Sequence, residues 1–331
     1  MRRRPRVGAG VTDRSWYIAA INRVVDHIDA HLAEALDLET LARVAHFSPW
    51  HFHRLFQALT GETLADRVRR RRLETAAARL LTTPPQTALA IALDVGFGSA
   101  EVFSRAFRAH FGVTPTAWRQ GGFRAWARKH RVQLRKIHQA DRKTNQATVT
   151  GFSQDGDLWP HGHHPRKGGK PMQVEMRTLP ETRVAYMRHV GPYGSSSITK
   201  MWMRFAAWCG ANGLLTPRPT MFGISQDSPK ITAPDKCRYD ACVQVDDRFQ
   251  PQPKDEIGVQ TIWGGRYACA RFTGSAADIH DAWMRFIGGW IPDSGYQCEN
   301  HPAIELYEPD FTVDPKTGVF SCLLCMPVRP Q

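Results

Sequence analysis

A short pattern written twice constrains this chain more than any other feature. LARVAHFSPWHFHRLFQALTG (41–61) and IALDVGFGSAEVFSRAFRAHFG (91–112) align at an offset of 51 residues. The alignment pairs Val44 with Val95, Ser48 with Ser99, Phe52 with Phe103, Arg54 with Arg105, Phe56 with Phe107 and Gly61 with Gly112. Each copy reads as two helices around a tight turn. In the first, His46-Phe47 is the turn, and Ser48 caps a helix with Pro49 at its first position, where a missing N–H costs nothing. In the second, Gly96-Phe97-Gly98 turns and Ser99 caps. Phe52, Leu55, Phe56 and Leu59, like Phe103, Phe107 and Phe111, recur at helical spacing and make inner faces. Trp50, His51, His53, Arg54 and Gln57 are left outward in one copy, and Ala100, Glu101, Val102, Ser104 and Arg105 in the other. A helix held by its inner face, with long polar side chains near its N-terminus, fits a major groove. Two copies point to one job done twice.

Charge separates this region from the rest. The net formal charge of the 331 residues is +13; residues 1–150 hold 25 Lys/Arg against 12 Asp/Glu, and residues 151–331 hold 19 of each. The basic half suits a polyanion, and the neutral half suits a different partner. No run reaches the ~20 apolar residues of a membrane helix, and MRRRPRVGAG leads into no apolar signal core. The seven Cys all follow residue 200 without disulfide-rich spacing, which fits a reducing cytoplasm.

Between the copies, Leu64 to Leu81 reads as a helical rod of roughly 27 Å, against about 34 Å for one duplex turn. Two recognition helices on such a rod reach two successive groove segments without a dimer. The rod carries Arg67, Arg69, Arg70, Arg71 and Arg72, which cannot all share one side. Some are expected to pair with Asp66 and Glu74, and Arg70 is the candidate phosphate contact. A helix from Trp16 to Leu32 precedes the first copy, with Ile18, Ile21, Val25, Ile28 and Leu32 as its buried stripe.

Residues 17–119, and GFGSAEVFSRAFRAHFGVTPTAWR (96–119) nearly throughout, resemble the DNA-binding domain of the AraC/XylS family of bacterial transcription regulators. The resemblance implies an all-α tandem helix-turn-helix domain over 14–120, with double-stranded DNA as partner and RNA polymerase as a further one. It implies that Trp50, His53 and Arg54 face one groove segment, and that Ser99, Ala100, Glu101, Ser104 and Arg105 face the next. Glu101 is an acid among phosphates, favourable only where it accepts from a cytosine amino group.

Residues 121–171 lose apolar periodicity and read as a basic, flexible linker, apart from a short basic helix over 123–137. His161, His163 and His164 lack Cys or strong acid support and read as linker, so no metal or cofactor is expected. The C-terminal part is duplicated in its turn. RVAYMRHVG (183–191) matches RYACARFTG (266–274) at an offset of 83, and WMRFAAWCGANG (202–213) matches WMRFIGGWIPDSG (283–295) at an offset of 81. Each unit is a strand, a turn and an amphipathic helix. Further strands are expected at 173–178, 220–225, 239–245, 257–262, 302–308 and 318–328. The expected fold is α+β, two β-α-β-like halves about a pseudo-twofold axis with a ligand groove where they meet.

GGRYACARFTGS (264–275), GWIPDSGY (289–296) and HPAIELYEPDF (301–311) resemble the GyrI-like effector-binding domain, with MFGISQDSP (221–229) and RYDACVQV (238–245) in support, so 172–331 is taken as that domain. The resemblance implies a small-molecule effector and makes Glu305 the carboxylate of an aromatic pocket. Strand alternation gives Glu305 one face with Ala303 and Tyr307. Such a carboxylate suits organic cations, with aromatic faces adding cation–π attraction. Tyr193, Phe222, Trp290 and Tyr307 are the lining candidates; Trp202 and Trp283, beside Met and Phe on amphipathic helices, read as core. An Arg partner for Glu305 is the structural alternative. Cys322-Leu-Leu-Cys325 places its thiols on opposite strand faces. The chain thus reads as a ligand-responsive transcription regulator, an activator rather than an enzyme. The alternatives are a hydrolase with Glu305 as general base and a domain that sequesters a protein.

Overall fold

The computed structural model describes residues 12–82, 84–129, 132–133, 172–252, 255–276, 278–299, 301–314 and 316–330. The histidines of 161–164 and most of the expected linker lie outside them. Seven helices come first: α1 (Thr12–Ala30), α2 (Leu38–Ala45), α3 (Pro49–Thr60), α4 (Leu64–Arg79), α5 (Ala88–Asp94), α6 (Ala100–Phe111) and the single turn α7 (Pro115–Ala117). Their starts are set by capping side chains that take an otherwise orphaned amide. Asp37 accepts from the Thr40 N–H at 2.7 Å, Thr63 from Asp66 at 3.1 Å, Thr87 from Ala90 at 3.1 Å and Thr114 from Ala117 at 3.2 Å. Thr63 and Thr114 are themselves 51 residues apart, so the duplication includes the exits from α3 and α6. Ser48 holds the cap position of α3 but its side chain makes no cap bond, whereas Ser99 accepts from Val102 at 3.3 Å.

Each unit has its own core, and α4 serves both. Leu64 and Val68 close the first with Ile28, Leu41, Phe52 and Phe56; Leu73 and Ala77 close the second with Ile91, Phe103, Phe107 and Trp118. Arg72, midway between, donates to the carbonyls of Leu32, Glu34 and Gly96 at 2.9, 2.8 and 2.9 Å, tying α4 to both halves. Gly96 is required there: its φ is +86°, and a Cβ would meet the Leu32 oxygen at 2.4 Å. After α7 the chain is helical again at 123–129. Trp126 packs on the second core and donates to the Ile231 carbonyl at 3.0 Å. The expected basic helix therefore packs on protein, leaving Arg124, Arg128 and Lys129 exposed.

The C-terminal region is strand-rich: β1 (Val174–Leu179), β2 (Thr182–Val190), α8 (Ser196–Ala211), β3 (Met221–Ser225), β4 (Arg238–Gln244), β5 (Gly258–Ile262), β6 (Gly265–Gly274), α9 (Ile279–Arg285), β7 (Tyr296–Cys298), β8 (Ala303–Tyr307) and β9 (Phe320–Pro330). All pairings are antiparallel, in the order β1-β6-β9-β8-β3-β4-β2-β5, with β7 on β9. Exchanging the halves (β1 with β5, β2 with β6, β3 with β8, β4 with β9) reverses this order and leaves it unchanged, the signature of a pseudo-twofold axis. β1–β2 and β5–β6 pair in one register from Val174 opposite Ala270 to Tyr186 opposite Gly258, so the ladder returns on itself. One face packs as a single apolar cluster that includes Tyr186, Ile224, Cys242, Tyr267, Leu306 and Cys325. On the other, α8 and α9 cover two further clusters. The second helix is shorter than its repeat suggests. After Arg285 it passes through a wide turn at Phe286–Trp290 and a tight one at Ile291–Asp293, as Gly288, Gly289 and Pro292 dictate.

The two regions meet along a seam of buried ion pairs, and the arginine run of α4 belongs to it. Arg71 pairs with Asp29 of α1 (2.8 Å), Glu74 (2.8 Å) and Asp227 (2.7 Å). Arg238 holds Asp227 through two side-chain bonds of 2.9 and 2.8 Å and also binds Asp29. Arg188 is bidentate on Asp240, both contacts 2.7 Å, and reaches Asp26 of α1 at 2.7 Å; the Tyr186 hydroxyl also donates to Asp26. Arg67 and Arg70 are held by Glu62, and Arg70 also by Glu74. Of the five arginines only Arg69 is exposed. Asp66 accepts from the Thr63 hydroxyl rather than from an arginine.

These pairs respond to pH in opposite senses. Burial raises the Asp29 carboxyl, but Arg238, Arg71 and Arg67 outweigh it and hold it below the usual range; Arg238 and Arg71 do the same for Asp227. For Asp26 burial wins, because it shares Arg188 with Asp240, and its carboxyl rises. The stability from Asp29 and Asp227 is present above the unfolded carboxylate value of about 4 and is lost as pH falls through their depressed folded values. Asp26 works the other way. The docked arrangement should therefore lose stability progressively below about pH 4, seen as a urea midpoint that falls between about pH 5 and pH 3; an unchanged midpoint over that range would count against this account. Arg71→Ala, which strips one partner from buried Glu74 and Asp227 and from half-buried Asp29, should cost about 3–5 kcal/mol in urea unfolding.

Candidate DNA-reading helices and effector site

The outward faces of α3 and α6 are set by their buried phenylalanines. Phe52 and Phe56, and Phe103 and Phe107, are fully buried, which turns the intervening positions to solvent. Trp50 is 75% exposed, and His53 and Arg54 are exposed beside it. On α6, Glu101 and Arg105 are exposed, while Ser99, Ala100 and Ser104 are half-buried. The Glu101 carboxyl is held below its usual range by its own backbone N–H and by Ser99, so it remains ionised at the helix N-terminus, where the helix dipole favours an anion. Arg70 departs from its expected role. Glu62 and Glu74 engage it and its side chain is only 11% exposed, because its position on α4 faces the carboxylates of the seam and not solvent. α4 has 16 residues, and its length is roughly 24 Å.

The second site lies on the pseudo-twofold axis. The central pair of the β3–β8 ladder is Gly223 opposite Glu305, and their separation of 82 residues falls between the repeat offsets. Equivalent positions thus carry a carboxylate in one half and no side chain in the other. Glu305 is 7% exposed and accepts from Tyr239 Oη at 2.6 Å, Tyr307 Oη at 2.8 Å and Trp283 Nε1 at 3.2 Å. Trp202 Nε1 donates to the Tyr239 hydroxyl at 3.3 Å, and its ring meets Tyr307 edge-on at 5.5 Å. Among the described residues no Arg or Lys pairs with Glu305. Burial pushes its carboxyl up, against the three hydrogen bonds that favour the anion.

The expected lining is therefore revised. Tyr307 is in the box. Phe222 is buried in the cluster on the opposite sheet face, because it neighbours Gly223 and strands alternate. Trp290 stands behind Phe286 (5.8 Å) and stacks on Tyr296 at 6.5 Å. Tyr193 contacts the edge of the Tyr239 ring at 6.4 Å, while its hydroxyl lies against the Arg238 and Asp227 carbonyls at 2.8 and 3.0 Å. Trp202 and Trp283, read as core, donate into the box, and Tyr239 was missed. The signal for the tryptophans was in the repeat, since both begin WMRF copies that the axis must relate. A separate cleft of about 430 Å³, lined by Leu214, Arg218, Gln244, Asp246 and Phe249 among others, shares no residue with this box.

A Cβ on Gly223 would lie 2.0 Å from Tyr239 Oη and 2.6 Å from Glu305 Oε2. Gly223→Ala should accordingly cost about 1–3 kcal/mol by overpacking and shift tryptophan fluorescence, since Trp202 and Trp283 lose their acceptors. Unchanged emission and stability would show that the box does not need this gap.

Comparison with known proteins agrees with both halves. Residues 41–121 match a helix-turn-helix domain model and residues 172–329 a GyrI-like small molecule binding domain. The regulatory protein SoxS of Salmonella typhimurium is 36% identical over 99 residues, 30% of this chain and 92% of that protein. The Tn10 TetD protein of Escherichia coli is 40% identical over 108 residues, 33% of this chain and 78% of TetD. Among solved structures, the DNA-binding domain of AdpA, in complex with a target DNA, is 34% identical over 30% of this chain and 90% of that one, with a TM-score of 0.29. A duplicated helix-turn-helix on one rod, joined to a carboxylate-centred aromatic box, is accounted for on both sides: the chain belongs to the AraC-type family of DNA-binding transcription regulators and carries a C-terminal GyrI-like small-molecule binding domain.

Proposed function

We propose that the protein is a transcription activator whose DNA affinity or polymerase contact responds to a hydrophobic organic cation held by Glu305. The observation that carries this reading is the buried carboxylate, ringed by Trp202, Tyr239, Trp283 and Tyr307, with no cation paired to it among the described residues. An unpaired buried carboxylate is costly. A soft organic cation offsets that cost and gains cation–π contact with the rings. On the DNA side, Trp50, His53, Arg54, Ala100, Ser104 and Arg105 face bases or sugars, and Ser99 and Glu101 stand at the N-terminus of α6. Exposure of Trp50, Arg54 and Arg105 supports their part in this. RNA polymerase is the partner the family implies, and seven free cysteines suit a cytoplasmic protein.

One observation favours an enzymatic second reading: a raised carboxyl beside two tyrosine hydroxyls is also the arrangement of a general base. Turnover of a bound electrophile, abolished in Glu305→Gln, would support it.

The sensing reading is tested by thermal shift of the full chain against quaternary ammonium compounds and cationic dyes. Glu305→Gln should lose every cationic hit. The same variant should stabilise the free protein at pH 7 by about 0.5–2 kcal/mol, as removal of a desolvated functional charge does. The sign follows from the raised carboxyl, whose burial penalises the ionised form and disappears when it is protonated or neutralised. Cation affinity should therefore weaken as pH falls through the raised Glu305 value, and at a higher pH than an ordinary carboxylate would give; binding that stays constant until the protein unfolds in acid would place the cation elsewhere. For the DNA side, Arg54→Ala and Arg105→Ala should each cost about 1–3 kcal/mol at a selected site with little loss on random duplex. Equal losses on both would remove them as base readers.

A further inference from the structure

We propose that strand β4 couples the Glu305 box to the DNA-reading domain, with Arg238, Tyr239 and Asp240 as the transmitting residues; this rests on the reading of the box as an effector site. The three residues alternate across the strand. Tyr239 points into the box, where its hydroxyl donates to Glu305 at 2.6 Å. Arg238 and Asp240 point the other way. Arg238 binds Asp227 and reaches Asp29 of α1; Asp240 binds Arg188, which reaches Asp26 one turn earlier on α1. One short stretch thus holds the site on one side and the first helix of the DNA-reading domain on the other.

Two further contacts make the connection firm. The Tyr193 hydroxyl lies against the Arg238 and Asp227 carbonyls and accepts the Asp227 N–H at 3.0 Å, while its ring touches that of Tyr239. The loop leading into β4, residues 226–237, grips both helix-turn-helix units. Its Asp227 pairs with Arg71 of α4, its Ile231 joins the second core, and Lys236 Nζ donates at 3.2 Å to the carbonyl of Thr60, the last residue of α3.

A cation that takes the Glu305 carboxylate must loosen one of the three donors already on it, and Gly223 leaves no spare volume beside Tyr239. Displacement of Tyr239 carries its strand neighbours with it. Ion pairs anchored on buried arginines have few alternative arrangements, so the seam changes between discrete states and is not graded. Coupling of this kind is reciprocal: cation and DNA alter each other's affinity by one common factor, typically 5–150-fold.

The test uses the full chain, benzyltrimethylammonium as probe, and a duplex selected by the protein from a random pool. Tryptophan fluorescence gives the probe Kd with and without saturating duplex. The expected ratio is at least about 5-fold in the wild type and near one in the Asp26→Asn, Asp29→Asn double variant, with the DNA-free Kd retained. Arg188 keeps Asp240 and Arg238 keeps Asp227 in that variant, so neither arginine is orphaned. A ratio of one in the wild type, or an undiminished ratio in the double variant, overturns the coupling while the effector reading stands. Failure of the probe to bind at all sinks the effector reading instead, and a ligand-free arm then decides. Tyr239→Phe alone should speed hydrogen exchange in α1 around 26–30 and in α4; unchanged exchange overturns the proposal.

Discussion

The structure depends on a charge balance between α1, α4 and the strands and β3–β4 loop of the GyrI-like domain. Five arginines (Arg67, Arg70, Arg71, Arg188 and Arg238), each with a side chain no more than 12% exposed, meet six carboxylates (Asp26, Asp29, Glu62, Glu74, Asp227 and Asp240). Such a network adds little net stability over an apolar contact of the same size, but breaking any member is expensive. It therefore specifies one docked arrangement more than it strengthens it. Because α4 also closes both helix-turn-helix cores, the element that spaces α3 and α6 is the one the GyrI-like domain grips.

The second organising constraint is the pseudo-twofold axis. Two copies of one strand-helix unit meet face to face, and the residues at the axis must be accommodated without a symmetric clash. Glu305 and Gly223 solve this by asymmetry, one long and charged, the other absent. The same axis brings Trp283 to the one carboxylate and Trp202 to the Tyr239 hydroxyl beside it, each the first residue of a WMRF copy. A polar box at a fusion of duplicated halves needs no dedicated loop. It follows from where the repeats touch.

Much of this was legible in the chain. The offset of 51 located α3 and α6, because phenylalanines at helical spacing fix the inner face of each helix. Strand alternation in PAIELYE put Glu305 and Tyr307 on one face. Other readings failed for identifiable reasons. Phe222 was grouped with Glu305 by its aromatic character, although its neighbour Gly223 is the residue that shares the face. Arg70 was read as a phosphate contact, and pairing within the run was assigned to Asp66 and Glu74 alone, since local sequence does not reveal that Asp29, Glu62 and Asp227 converge on it from other elements. Tyr239 escaped notice because its place depends on β4 lying beside β3, a pairing that periodicity cannot show.

By itself, the sequence determined the elements, their buried faces, the two duplications and the residue types available for DNA and for a cation, since these follow from local periodicity and side-chain chemistry. Only the tertiary structure decided which charges are neutralised. Net charge of +13 concentrated in one half suggests free arginines. Yet four of the five on α4 are occupied, two of them by carbonyls or carboxylates more than 30 residues away. Electrostatic partners are chosen by distance in space after burial has fixed the backbone, and burial is what makes each pairing obligatory.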